Sequence, residues 1–417
     1  MSLAIPRRIV GVRGQVVNGV RMEDGGVLSV QCRRDARICP VDARTGQRGR
    51  PNRWLRRRVW DLPLFGHRVA LDIEYLEVAI GARDRRVEQL EFVGAGSLYT
   101  KRFEALISAL CRHLPMSAVA RWSGLAWVTV KEMDRRHLQA TLPALNPRDL
   151  TGLRYLGVDE VARAKGQDYV TVVYDLESGG LLWVGDGKCA DSLSVFLAEL
   201  SQETAAGIEA VAMDMGEAYQ SSVKAQLPNA TIVFDRFHVM QLYGKVIKTV
   251  RRSEFKKADV DGKAVIKGTM YLLLGNKQNL DQSGVQRLDD LLAANQPLST
   301  VYTLKEQLQA LWSAPNEKAM QRALAQWCSM ARATTIKPLH HFANSLERHA
   351  DGICAYARFK LTTARIEAGN VAIGMIRKRA RGMLDTEFFK LKIRQTAVPE
   401  PPLALFPMAR YLPHVTA

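Results

Sequence analysis

No run of about 18 apolar residues occurs in the chain, which excludes a transmembrane helix as a reading of the sequence. The opening stretch, MSLAIPRRIVGVRG, has no uninterrupted apolar core of the length a secretory signal needs, and strand-like sequence follows it. A cytoplasmic protein without a membrane partner is the expectation. Cysteine is sparse: Cys32, Cys39, Cys111, Cys189, Cys328 and Cys354 are scattered over 417 residues, which suits reduced thiols better than a disulfide framework. Cys32 and Cys39 make one close pair, in CRRDARICP, but no second pair follows in this region. Structural zinc normally takes four ligands, so zinc is not expected.

Acidic residues are also in short supply, 42 against 59 Lys and Arg, and the net charge of +17 points to a polyanionic partner. The distribution says more than the total. Lys+Arg against Asp+Glu is 26 against 15 over residues 1–150, 6 against 13 over 151–238, and 27 against 14 over 239–417. An acidic middle therefore lies between two basic arms. With 47% hydrophobic and 24% charged residues, the chain is otherwise an ordinary globular sequence, and its length suggests two to four domains.

Residues 1–98 read as a small β-rich module, with β-branched, partly alternating segments punctuated by Gly and Pro. Within it, GQRGRPNRWLRRR sets Arg48, Arg50, Arg53, Arg56, Arg57 and Arg58 around Trp54. Such a run is either a phosphate-binding strip with a stacking indole or a solvated loop. Residues 99–148 read as a helix-turn-helix domain. Ala120 lets two helices approach, Gly124 takes the turn, and Val130 packs the second helix back on the first. The second helix, from Trp127 to about His137, would offer Thr129, Lys131, Arg135 and Arg136 to DNA, unless the unit is an ordinary helical hairpin.

The pattern over 151–240 turns to α/β, with three strands (RYLGVDEVA, DYVTVVYDLESG, GLLWVGDG) followed by helix, strand, helix, strand. A mixed five-stranded sheet follows from that order. The helix DSLSVFLAELSQ reads as capped by Asp191. Residues 241–360 carry apolar residues at helical intervals and read as an all-α segment. Residues 361–395 hold a helix with Glu367 near its start and Arg377, Lys378, Arg379 and Arg381 near its end, and 396–417 form a proline-rich tail. The basic end of that helix is either a DNA contact or a solvated face.

Asp159, Asp214 and Asp235 each follow a predicted strand, and Glu367 lies on the late helix. A single Asp at a strand end is ordinarily a cap or turn former. Several carboxylates converging from different elements are instead the oxygen donors that paired divalent ions require in phosphoryl transfer.

The ordered series YLGVDEVARAKG, YDLESGGLLWVGDG, VAMDMGEAY, PNATIVFDRFHVM and IEAGNVAIGMIRKRARG resembles the DDE transposases of the ISL-three family of bacterial insertion sequences. The stretches KGTMYLLL, YTLKEQLQALW and HADGICAYARF look like that family's helical insertion. The resemblance covers most of the chain and implies a multidomain protein. It would have an α/β ribonuclease-H-like catalytic core interrupted by an all-α insertion and preceded by the β module, a degenerate zinc ribbon, and the helix-turn-helix. It further implies that Asp159, a second Asp and Glu367 hold two Mg2+ ions, with Mn2+ as a substitute, for DNA cleavage and strand transfer. The partners implied are double-stranded DNA, as terminal inverted repeats and target, and a second copy of the chain in a paired-end complex associated with the nucleoid.

In such a sheet the first strand lies beside the fourth, with the fifth one place further out and about 10 Å away. Asp214 is therefore favoured as the second acid, with Asp235 as the alternative. Glu160, Arg236 and His238 are given supporting roles. Two positions depart from the family pattern: the N-terminal cysteine set is incomplete, and Ala368 and Gly374 stand where a Gly beside the Glu and a Lys-rich run are common. A DNA-binding regulator without catalysis and a ribonuclease-H-like nuclease are the rival readings.

Overall fold

Four strands form the main sheet of the N-terminal part in the computed structural model: β1 (Gln15–Glu23), β2 (Val27–Arg34), β3 (Arg50–Leu64) and β4 (His67–Ala79). Their order is β1-β2-β4-β3, and a short β5 (Arg85–Val87) pairs with β4. Residues 11–81, 84–163, 168–361, 364–380 and 382–400 are described. They divide into one compact unit that runs to Leu142 and resumes at Val398, and a second over Pro143–Ala397.

The arginine run lies in a strand, which corrects the loop reading. Phe65 and Gly66 both take positive φ, 48° and 81°, and close a tight hairpin in which β3 and β4 run antiparallel. The register sets Arg53 opposite Glu77, Arg56 opposite Glu74 and Arg58 opposite Asp72. Each pair forms a salt bridge, and Arg58 also holds Glu23. Opposite charges directly across a ladder stabilise the pairing, so a stretch with no apolar alternation is held in a strand by its neighbour. Val17, Val30, Cys32, Val59, Val69, Leu71 and Ile73 form the core beneath. Beside that core the Arg34–Glu88 pair is buried on both sides and bonded through Nε at 2.9 and 2.8 Å.

Three helices complete this unit: α1 (Lys101–His113), α2 (Met116–Ser123) and α3 (Trp127–Thr141). Thr100 caps α1 and also donates to Asp61 of β3, which joins helices and sheet. As the sequence indicates, Gly124 takes the left-handed conformation (φ 69°), Val130 is fully buried and Ala120 nearly so. The buried Ser108–Asp134 hydrogen bond, 2.6 Å, ties α1 to α3.

In the second unit a five-stranded sheet is built from β6 (Tyr155–Ala162), β7 (Tyr169–Asp175), β8 (Leu181–Asp186), β9 (Ala210–Met213) and β10 (Thr231–Phe234), in the order β10-β9-β6-β7-β8. β6, β7 and β8 form an antiparallel meander; β9 and β10 run parallel to β6. Between β8 and β10 come α4 (Ala190–Ala198), α5 (Gln202–Gly207) and α6 (Glu217–Gln226). Cys189 occupies the cap position of α4, so Asp191 sits inside its first turn instead of capping it.

A long helix, α7 (Arg236–Lys257), follows β10 directly. Seven more precede the last pair: α8 (Val260–Ile266), α9 (Met270–Leu274), α10 (Gln282–Ala294), α11 (Gln296–Leu311), α12 (Glu317–Arg332), α13 (Lys337–Arg348) and α14 (Ala350–Phe359). Two stretches that read as single helices are each split, at Gly268 (φ 76°) and at His349. Edge-on contacts among Tyr243, Trp327 and Phe342 centre this block. The chain then returns to the sheet through α15 (Ala364–Ala380) and α16 (Thr386–Thr396).

Alternation along the strands gives the sheet two covered faces. Leu156, Val158, Val173, Val211 and Met213 join Phe196 of α4 and Tyr219 and Val223 of α6 in one core. On the opposite face Ala210 and Val233 pack against Ala355 of α14, and Ile366 of α15 lies over Gly157. A Cβ at Gly157 would stand 2.4 Å from Ile366 Cδ1, and one at Gly369 would stand 2.4 Å from the Tyr174 hydroxyl. The two glycines let α15 lie close against β6 and β7.

Candidate active site

Asp159 sits inside β6, which runs on to Ala162, and not after the strand as the sequence suggests; it lies on the face that α15 covers. Its Oδ1 accepts from the Glu160 N–H at 2.7 Å, and its Oδ2 accepts from Nδ2 of Asn370 on α15 at 2.5 Å. Asn370 lies three residues beyond Glu367, so both share one stripe of the helix. Arg163 adds a second tie across this face, donating to the carbonyls of Met383 and Leu384 just past α15, at 2.7 Å each.

The parallel register pairs Tyr155 with Ala210, Leu156 with Val211 and Gly157 with Ala212. The pairing stops there and β9 ends at Met213; continued two places it would bring Asp214 opposite Asp159 at one strand spacing, about 4.8 Å, and the charge of Asp214 is felt at Asp159. Asp214 is half-buried and accepts from the Gly216 N–H at 2.9 Å. Asp235 follows β10, one strand further. It is buried and caps α7, with Oδ1 accepting from Phe237 N–H and Oδ2 meeting His238 Nδ1, both at 3.0 Å. A carboxylate already engaged at both oxygens by its own helix start is occupied as a cap.

Glu160 points to the opposite face from Asp159, as the pleat requires. It lies across from Thr171, whose hydroxyl bonds Tyr219 at 2.9 Å. Arg236 is exposed at the start of α7.

Burial pushes the Asp159 carboxyl above its ordinary range, and the negative charge of Asp214 adds to this; the Glu160 N–H, Asn370 and His238 oppose it. Glu160 is raised in the same way, by burial and then by Asp214 and Asp159, with Lys188 opposing. His238 is raised by its bond to Asp235, and the charges of Asp159 and Asp214 add to the effect. Asp159, Glu160 and Asp214 thus feel one another. None of them forms an ion pair with Lys or Arg among the described residues.

Oxygen-only donors of like charge, without a basic partner, have the chemistry a hard divalent cation requires. The buried Oδ1 of Asn370 beside them has no hydrogen-bond partner, a further acceptor on the same side. The set is not gathered as a finished chelate, because no three His, Cys, Asp or Glu side chains stand close enough to hold one ion among the described residues. Glu367 is half-buried on the correct stripe but does not join such a group.

The remaining sequence-selected residues fall into two classes. Arg53, Arg56 and Arg58 are in the cross-strand pairs described above, and Arg57 donates to the Ser97 carbonyl at 3.1 Å. Arg136 is held at 2.7 Å by the buried Glu104, and Arg135 pairs with Glu132. Arg48 and Arg50 are exposed and form no ion pair among the described residues; Trp54 is 61% exposed. On the helix-turn-helix, Trp122, Trp127 and Val128 are exposed, Thr129 is half-buried, and Lys131 lies 5.8 Å from the Trp127 ring centre. Arg377, Lys378 and Arg379 form the last turn of α15, where positive charge complements the helix dipole; Arg381 lies outside the described residues. Cys32 is buried with its thiol pushed up to about 12, chiefly by burial, whereas Cys39 is exposed.

Sequence reasoning missed Asn370 and Arg163. The first had a signal, an amide three residues beyond the helix acid; the second had none, because its partners are backbone carbonyls.

Residues 156–393 match a family model described as a transposase of the DDE type, ISL3 group, and residues 88–138 match the helix-turn-helix domain of transposase family ISL3. The transposase for insertion sequence element IS1001 of Bordetella parapertussis is 38% identical over 345 residues, covering 81% of this chain and 84% of that protein. The transposase for IS1557 of Mycobacterium tuberculosis, from strains CDC 1551 and H37Rv, is 26% identical over 83% of this chain and 84% of its own length. The first family model begins at the strand that carries Asp159 and ends beyond the helix that carries Glu367, the second spans the Gly124 turn, and the identity runs through both: the chain belongs to the ISL3 family of transposases.

Proposed function

We propose that the chain binds the terminal inverted repeats of an insertion sequence and catalyses metal-dependent DNA strand cleavage and strand transfer, with Asp159, Asp214 and Glu367 as the metal-binding acids. One observation carries this reading. Asp159 within β6 and Asp214 just past the neighbouring β9 form no ion pair with Lys or Arg among the described residues, and Asp159 is bonded to the helix that carries Glu367. The sheet order, three antiparallel strands followed by two parallel ones on the side of the first, supports a ribonuclease-H-like core, with the eight helices α7–α14 as its insertion.

Asp159, Asp214 and Glu367 would hold Mg2+ or Mn2+. Bound there, two such ions supply positive charge that activates an attacking oxygen and stabilises the leaving one. The chain's own residues do the rest. Asn370 and the Glu160 N–H orient Asp159, and Asp235 fixes His238 beside the acids. Exposed Arg48, Arg50 and Trp54, the start of α3, and the basic end of α15 hold phosphates and bases. Water attacks the scissile phosphate first; the freed 3′ hydroxyl then attacks target DNA. Two ends joined in one complex require at least two copies of the chain.

The test is incubation with DNA flanking the gene plus Mg2+, comparing the parent with Asp159→Ala, Asp214→Ala, Asp235→Ala and Glu367→Ala. Loss of nicking in the first, second and fourth, with Asp235→Ala retaining some, is expected. An active Asp214→Ala beside a dead Asp235→Ala overturns the choice of second acid. The ungathered acids favour one alternative, a DNA-binding regulator without catalysis. It predicts specific DNA binding in the parent with no Mg2+-dependent nicking at all.

A further inference from the structure

We infer that Asn370 is a positioning residue of the acidic site, one that sets the orientation of Asp159 through its amide nitrogen and presents its amide oxygen to the water shell of a divalent cation. The inference rests on the metal-site reading above.

The geometry has two halves. Asn370 Nδ2 donates to Asp159 Oδ2 at 2.5 Å, and the other oxygen of that carboxylate is fixed by the Glu160 N–H at 2.7 Å. The direction of the amide is set by its neighbour, because the reversed amide would place Oδ1 against a carboxylate oxygen, acceptor to acceptor. Oδ1 is therefore turned away from Asp159. It is buried there and has no hydrogen-bond partner. A buried acceptor without a donor is costly and rare in a folded protein, and a bound water or ion is one of its ordinary explanations.

The carbonyl of an amide is a hard neutral oxygen, suited to a divalent cation directly or through one of its waters, and Mg2+ in particular keeps several waters when it binds. Asn370 is placed for this task by the helix. Ile366 seats α15 over Gly157, and Gly369 fits under Tyr174, so the stripe that holds Glu367 and Asn370 lies against the strand that holds Asp159. One side chain thereby links the strand acid to the helix acid. Residues that orient a ligating carboxylate change metal affinity by about 10- to 100-fold when removed.

The experiment is a calorimetric titration of the full chain with Mn2+ without DNA, paired with thermal melting with and without Mn2+, for the parent, Asn370→Ala, Asn370→Asp and Asp159→Asn. Asn370→Ala should weaken Mn2+ binding by about tenfold while its metal-free melting temperature stays close to the parent's. Asn370→Asp places a second carboxylate against Asp159. It should melt lower without metal and gain more from Mn2+ than the parent does, and it serves as the second readout if Asn370→Ala misfolds. A merely structural link predicts lowered melting in both conditions with Mn2+ affinity unchanged; that result overturns the inference while Asp159→Asn still loses Mn2+. If Asp159→Asn binds Mn2+ like the parent, the metal-site reading fails first and this inference with it.

Discussion

The N-terminal sheet and the centre of the second sheet treat their carboxylates in opposite ways, although at the second sheet's edge Asp186 of β8 is held by Lys390. In the N-terminal sheet, Asp72, Glu74 and Glu77 face Arg58, Arg56 and Arg53 across the ladder, buried Glu88 has Arg34, and buried Asp61 has Arg102. In the second sheet, Asp159 and Glu160 within β6 and Asp214 just past β9 have no Arg or Lys bonded to them among the described residues. The same chain, with 59 basic residues to draw on, neutralises acids in one place and withholds neutralisation in the other. Buried charge of one sign is expensive, a cost that the proposed cation would offset.

Four experiments break or sharpen this contrast. Removing an uncompensated acid should cost the most: Asp159→Ala and Asp214→Ala are each expected to lower strand cleavage by about 10^3-fold in a gel assay, with the fold intact by circular dichroism. Equal loss in a variant of a compensated acid such as Glu74→Ala would erase the distinction. Next in size, Arg34→Met leaves Glu88 charged, buried and unpaired and should cost about 3 to 5 kcal/mol in urea denaturation, whereas Arg34→Met with Glu88→Leu should recover most of it.

A smaller effect, of opposite sign, is expected for Asp159→Asn. Because burial raises the Asp159 carboxyl in the folded state, its favourable contribution is complete below the ordinary carboxylate range and is lost as pH rises through the raised value. At pH 7 without divalent ions Asp159→Asn should therefore be more stable than the parent by about 1 kcal/mol. The gap should close at acid pH and reverse with Mn2+ present; a variant less stable at every pH contradicts the reading. The smallest change belongs to the exposed ladder. Arg56→Ala should cost less than about 1 kcal/mol and shrink further in high salt, as surface pairs do.

Much of the second unit could be read directly from the chain. β7 to β10 are each a short apolar run that ends at or just before an Asp, whereas β6 runs on through Asp159 and Glu160, and the adjacency of β6 and β9 is what the family resemblance implies. The helix-turn-helix was legible because Gly124 must take a conformation that other residues resist. The arginine run of β3 was not, since what makes it a strand is a partner some twenty residues away in a register that local pattern does not set. Asp235 was ambiguous for a related reason. An Asp between a strand and a helix can serve a ligand or cap the helix, and the bonds of Asp235 to Phe237 and His238, which the sequence does not show, are those of a cap. Asp159 and Glu160, adjacent in sequence, are separated by the pleat onto opposite faces, and that halves the role that two neighbouring acids suggest.

The close seating of α15, through Gly157 of β6 and its own Gly369, carries a consequence for the order of events during synthesis. The strand that carries Asp159 and the one that leads into Asp214 are synthesised long before Glu367, because the whole block α7–α14 is made in between. Until α15 emerges and seats Ile366 on Gly157, the nascent chain holds Asp159 and Asp214 without Glu367 and without the Asn370 amide that bonds Asp159. On the function proposed above, chain order keeps the acidic site incomplete until α15 has been made.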